Sequence, residues 1–239
     1  MTSILAIETS TEACSVALHG LSGTISRYAE EPRSHTQLLM PMIESVLIEA
    51  GIKPNQLHAI GVAIGPGSFT GLRIGFAATQ GLAFGLDIPV IPVSSLKVMV
   101  ATYIRKTKNV QPPVKQSQML RVMAILDARM GEFNCGCYTI DHKGVIASEF
   151  SDRLLTAVDA KQWVEKLSPE VIVGDGEVLL ASGSVWTGTL NPIFPDAIDL
   201  LDITLLGYQK GDAVPISAVD LVYLRGADAW QKRKRIRDA

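Results

Sequence analysis

The chain has 239 residues, with 22 Lys or Arg, 24 Asp or Glu and four His, for a formal net charge of −2. Apolar residues make up 47% and charged residues 19%, which excludes intrinsic disorder, and the balance of signs excludes a uniformly basic nucleic-acid coat. The low charged fraction hints at a surface buried against a partner. Three cysteines, Cys14, Cys135 and Cys137, are too few and too unevenly spaced for a disulfide framework, and they read as thiols of a reducing compartment. No secretory leader pattern opens the chain and no run approaches the ~20 apolar residues of a membrane span, so a cytoplasmic protein is expected.

In chain order, residues 3–8 form a nearly continuous apolar run, the pattern of a central strand. Turns then give strands over 14–19 and 24–30. Ser34 can cap a helix over 35–50 that stops at Gly51, with Leu39, Met42, Ile43, Val46, Leu47 and Ala50 at helical spacing and Pro41 inside it. A strand over 59–64 leads into GPGSFTG (65–71) and a helix over 72–85. Gly71, Gly75, Ala78, Gly81 and Gly85 line that helix at intervals of three or four. Each helical Gly costs up to about 1 kcal/mol against Ala, so this backbone is expected to approach something closely, with tight packing on its own sheet as the alternative. A strand over 87–93 and a helix to about residue 107 complete this half. Residues 105–118, with Pro112, Pro113 and four basic residues, read as a linker.

After it the pattern restarts. Strands are expected over 119–127, 132–140 and 145–150, then a helix over 157–167, a strand over 170–173, the loop Gly174-Asp175-Gly176 and a short helix. Both halves share the order strand, strand, strand, helix, strand, Gly loop, helix. Glu8 and Asp127 end the first strand of each, and the two Gly loops follow the fourth. This is the plan of the α/β actin-like fold (actin, sugar kinases, Hsp70) with two duplicated βββαβα lobes, here 1–108 and 119–220, followed by a terminal segment 221–239.

In that superfamily the first turns and the cleft between the lobes hold nucleotide phosphates. Thr9, Ser10, Gly65, Gly67, Ser68, Thr70 and Arg129 are the candidates here, with loop N–H groups at a helix start as an anion site. The loop is not a Walker loop, since no Gly-Lys-Ser/Thr follows. Glu8 is one methylene longer than the usual Asp, and Arg129 and Met130 crowd the second turn, which argues against a self-sufficient ATPase. None of the histidines lies in a triad or zinc context, and no catalytic or metal-ligating residue is assigned. The tail, with Lys232, Arg233, Lys234, Arg235 and Arg237, gives residues 225–239 a net charge of +4 against −6 for the rest. It reads as a solvated tail, with tRNA phosphates as the functional alternative.

Several motifs together resemble one family: ILAIETSTEACSVAL (4–18), SHTQ (34–37), GPGSFTGLRIG (65–75), DARMGE (127–132), VGDG (173–176) and VYLR (222–225). The chain is similar to the TsaB (YeaZ) family, with Glu8 where many members have Asp and Leu221 where Pro is frequent. The resemblance implies the tRNA threonylcarbamoyladenosine machinery, in which TsaD transfers threonylcarbamoyl from threonylcarbamoyl-AMP to N6 of the adenosine 3′ of the anticodon and TsaE is an ATPase. It implies a non-catalytic subunit that docks on TsaD and activates it, that forms a homodimer when TsaD is absent, and that has no cofactor of its own beyond ATP or ADP at the TsaD interface. TsaD-like metal ligands come from a His-x-x-x-His helix, whereas this chain has His35 and then Leu39.

The implied docking face comprises His35, Leu39, Met42, Ile43 and Val46 on one helix with Gly71, Gly75, Ala78 and Leu82 on the other. Ile43→Arg or Ala78→Trp is expected to block pairing and leave the fold intact. The alternative reading is an ATP-dependent phosphotransferase or a TsaD-like metallopeptidase of the same superfamily.

Overall fold

A computed structural model describes residues 2–21, 23–107, 119–181 and 185–225. Most of the expected linker and the tail bearing Lys232–Arg235 lie outside the described residues. The first lobe contains β1 (Ile4–Glu8), β2 (Cys14–Gly20), β3 (Gly23–Ala29), α1 (His35–Ala50), β4 (Ala59–Gly65), α2 (Phe69–Leu86), β5 (Val90–Ser94) and α3 (Ser95–Thr107). The second contains β6 (Leu120–Asp127), β7 (Glu132–Ile140), β8 (Ile146–Thr156), α4 (Ala157–Leu167), β9 (Val171–Gly174), α5 (Gly176–Leu180), β10 (Thr189–Asn191) and α6 (Ala197–Lys210).

The sheets have orders β3-β2-β1-β4-β5 and β8-β7-β6-β9-β10, so the duplication holds strand for strand. In each, the first strand is antiparallel to the second and parallel to the fourth. The unbroken apolar character of β1 follows from burial on both faces. Leu5 and Ile7 pack with Leu39, Ile43 and Val46 of α1, while Ile4 and Ala6 pack with Leu200 and Leu201 of α6.

The two sheets fall on either side of residues 108–119, and a helix from each half packs on the other half's sheet. Helix α3 lies between the sheets: Val98 packs with Ile91 and Val93 of the first, while Leu96, Met99, Val100 and Tyr103 cover the second against Val122, Ala124 and Tyr138. Helix α6 makes the reverse crossing and covers the first sheet. It sits so close that a Cβ on Gly61 of β4 would lie 1.9 Å from Thr204 Oγ1. The two helices are tied to each other by Arg105, whose Nε lies 2.8 Å from Asp199 Oδ1 and whose Nη2 lies 2.7 Å from Asp196 Oδ2. Arg105 and Lys106 therefore end α3 and are not linker residues.

Helix α6 is absent from the sequence reading. Its start and stop were visible, since the Asp196 carboxylate accepts from Ile198 N and Gly211 ends it in a left-handed conformation. Helix α2 starts at Phe69, three residues earlier than expected, because Ser68 Oγ accepts from Gly71 N and caps it. Strand β5 starts at Val90, later than expected, because Asp87 is the left-handed cap of α2. All three cysteines are buried, and burial raises their thiols to about 11 for Cys14 and about 12 for Cys135 and Cys137.

Candidate functional site

A cleft of about 950 Å³ opens between the lobes. On one side are the β1–β2 turn and the Gly loop, on the other are the β6–β7 turn and Asp175, and residues 222–225 run between them. In the first wall the two loops occupy each other. Ser68 N donates to Ser10 O at 2.6 Å, and Thr9 Oγ1 donates to Gly71 O at 2.9 Å. A Cβ on Gly67 would lie 2.2 Å from Ser10 O, and one on Gly71 would lie 2.1 Å from Thr9 O. One on Gly75 would meet Thr9 Oγ1 at 2.2 Å. These glycines let α2 and its leading loop press on the first turn. Thr9 and Ser10 are consequently buried, as is Gly65, against whose missing Cβ the carbonyl of Val222 packs. Glu8 lies beneath, with Oε1 accepting from Ser10 N at 2.6 Å. Among the described residues its Oε2 and Ser10 Oγ find no hydrogen-bond partner. Desolvation raises the Glu8 carboxyl to about 7.

The opposite wall is also turned away from phosphate. Ala128 N donates to Glu132 O and Arg129 N to Asp127 Oδ1, so these N–H groups are spent within the turn. Arg129 and Met130 both adopt positive φ, and the carbonyls of Ala128 and Arg129 accept from the Arg225 guanidinium. Asp127 N donates to Asp175 Oδ2 at 2.8 Å, and burial raises the Asp175 carboxyl above the usual range. Of the expected phosphate candidates, Thr9, Ser10, Gly65 and Gly67 are committed to packing and Ser68 to capping. Thr70 is exposed on the first turn of α2, and Arg129 is exposed at the cleft. Ser10, Gly67, Ser68 and Arg129 also line the cleft.

The expected docking face divides. Leu39, Ile43 and Val46 belong to the core of the first lobe, and His35 is buried with Nε2 3.2 Å from Ala13 O. Gly71 and Gly75 face Thr9. None of these six is available to a partner. Ile43, at 3% exposure, cannot take an arginine without loss of the lobe, so Ile43→Arg does not serve as a docking test. Met42, Ala78 and Leu82 are half-buried at the margin of that core. The outward apolar positions are Met40 (53% exposed) and Ile48 (72%) on α1 and Phe84 (64%) on α2, where Gly81 and Gly85 also have open space beside them.

The family model described as "TsaD: tRNA N6-adenosine threonylcarbamoyltransferase" matches residues 11–156. The tRNA threonylcarbamoyladenosine biosynthesis protein TsaB of Escherichia coli (strain K12) is 36% identical, covering 96% of this chain and 97% of its own. The TsaB of Haemophilus influenzae is 32% identical, covering 96% of both. The chain belongs to the TsaB family. A solved structure, YeaZ from Pseudomonas aeruginosa, superposes with a TM-score of 0.79 at 33% identity, over 94% of this chain and all of that one. The two-lobed α/β architecture is thus the actin-like one.

In this TsaB family member, sequence reasoning assigned no role to Tyr223, Arg225 and Glu132, although the first two belong to VYLR and the third to DARMGE. Arg73 Nε donates to Tyr223 OH at 3.2 Å, and Arg225 Nε donates to Glu132 Oε2 at 2.9 Å. The available signal was a cluster of aromatic and basic residues with no helical or strand period. No helix among the described residues is long and apolar enough to cross a membrane.

Proposed function

We propose that this chain acts in threonylcarbamoyladenosine formation on tRNA as a non-catalytic subunit that docks on TsaD and activates it. The observation that carries the reading is the exposed apolar surface of α1 and α2. Met40 and Ile48 on α1 and Phe84 on α2 are large apolar side chains left exposed, and Gly81 and Gly85 have open space beside them; such exposure is costly until something covers it. Met42, Ala78 and Leu82 of the same two helices are half-buried against the core. The same face pairs two copies when TsaD is absent, since paralogues of one fold reuse one self-complementary patch. TsaE joins the assembly, ATP or ADP is held at the TsaD interface and not in this chain's own cleft, and the assembly works in the cytoplasm. The closed first turn and the carbonyl-lined second turn support a subunit without its own phosphate chemistry, against a phosphotransferase.

Reconstitution tests the reading. The chain alone gives no modified tRNA, and adding it to TsaD, TsaE and the threonylcarbamoyl-AMP-forming enzyme restores full activity. Activity in the mixture lacking this chain would sink it. Ile48→Arg changes the stability of the free protein by less than about 0.5 kcal/mol, because the site is exposed. It weakens TsaD binding about ten-fold or more in titration calorimetry, because a charge is then forced into an apolar contact. Unchanged affinity would move the interface off α1.

A further inference from the structure

Residues 216–225 run from one lobe to the other. Ile216 and Val219 are buried in the core of the first lobe. Val222 N donates to Ile64 O of β4 at 2.8 Å, and the Tyr223 ring lies 5.4 Å from that of Phe69 at the start of α2. Two residues later the chain grips the second lobe. Arg225 Nε donates to Glu132 Oε2 at 2.9 Å, and Nη2 donates to the carbonyls of Ala128 and Arg129 at 3.0 Å each. One fork thus spans a carboxylate and two main-chain carbonyls, a pattern that a planar guanidinium satisfies and a point-charge ammonium does not.

The β6–β7 turn is built for this grip. Two successive non-glycine residues, Arg129 at φ 67° and Met130 at φ 59°, hold the left-handed conformation, at a cost of roughly 1–2 kcal/mol each. With the N–H groups of Ala128 and Arg129 bonded inside the turn, the Arg225 fork takes the two carbonyls. A turn of this polarity accepts a cation.

We propose that Arg225 is a latch between the lobes: its guanidinium holds the cleft at one closure, and a cation that competes for the carbonyls of Ala128 and Arg129 releases it. Besides the fork, the lobes are joined by the packing of α3 on the second sheet and of α6 on the first, by the α3–α6 contact, and by the Ser94–Asp152–Tyr138 cluster, where Ser94 Oγ donates to Asp152 Oδ2 at 2.5 Å. These join the lobes but do not span the mouth of the cleft. The inference concerns the free protein and is independent of docking on TsaD.

Pulsed electron-electron resonance tests it in the full chain, with spin labels on Asn55→Cys of the first lobe and Val158→Cys of the second. Both positions are exposed, while Cys14, Cys135 and Cys137 are buried and stay unlabelled. The labelled parent gives one narrow distance distribution. Arg225→Ala broadens it roughly two-fold, and guanidinium ion added to the parent at non-denaturing concentration broadens it likewise by competing for the carbonyls of Ala128 and Arg129. Arg225→Lys keeps the charge but stays broad, and it decides the matter if the alanine variant fails to fold. An unchanged distribution in Arg225→Ala, a narrow one in Arg225→Lys, or a parent distribution that guanidinium leaves unchanged would each overturn the latch.

Discussion

Glu8 ends β1 inside the protein with one carboxylate oxygen bonded and the other bare, beside Cys14 and facing Asp196 at the head of α6. Burial, the dominant cause, lifts its carboxyl from 4.5 to about 7. A carboxyl raised on folding binds its proton more tightly in the native state, so its contribution is most favourable below pH 4.5. That contribution is lost as pH rises from 4.5 to 7 and stays lost above. The interval between the two values is worth about 3 kcal/mol. Glu8→Gln imitates the neutral acid, so it should leave stability near that of the parent at pH 4.5 and raise it by up to about 3 kcal/mol at pH 8. Urea unfolding of both proteins across that range checks this; a stability difference independent of pH would show that Glu8 titrates normally. The sequence showed Glu8 as an acid one methylene too long for a phosphate turn. It did not show the burial, because the residues that bury it, from the Gly loop and the head of α6, are distant in the chain.

At the scale of the element, α2 is two helices in one. Its first half carries Gly71 and Gly75, where a Cβ would strike Thr9, and its second half carries Gly81 and Gly85, where a Cβ would meet nothing. The first pair is explained within the chain. The second pair has no such explanation and lies on the face assigned to docking. Gly71→Ala should destabilise the free protein by about 1–3 kcal/mol, since the opposing atom is backbone and cannot step aside. Gly81→Ala should stabilise it by about 0.5–1 kcal/mol through helix propensity while weakening TsaD binding. Thermal unfolding and titration calorimetry separate the two effects, and Gly81→Ala with unaltered binding would remove this half of α2 from the interface. The spacing of small residues was plain in the sequence, but spacing alone does not say what approaches. The same limit explains Leu39, Ile43 and Val46. Period 3.6 locates the apolar stripe of α1, yet whether that stripe faces its own sheet or a partner depends on where β1 and β2 lie.

For the whole molecule, the exchange of α3 and α6 decides how the chain holds together. The repeated order of elements was legible and implied two lobes that each close on themselves, which is how a cut near residue 108 came to look natural. Strand and helix order fixes which strands pair, but not which sheet a helix following the last strand will cover. Here Ala6, Ala17, Ala59 and Ala63 present a face of small side chains on the first sheet, and Leu200 and Leu201 of α6 fill it. Each such leucine is worth roughly 1.5–3 kcal/mol on burial, against a total stability of about 5–15 kcal/mol for a protein of this kind. A fragment of residues 1–107 therefore keeps five strands but loses the cover of one face and the Asp199 partner of Arg105. Expressed alone it should lack a cooperative thermal transition, and so should residues 119–239, which lose α3 from the second sheet. Mixing the two should restore a single transition and the near-ultraviolet dichroism of the buried Tyr103 and Tyr138. Independent cooperative melting of either fragment would mean that the crossed helices are dispensable and that the lobes are true domains. A single transition only after mixing would make the crossing the reason that the two lobes fold as one unit.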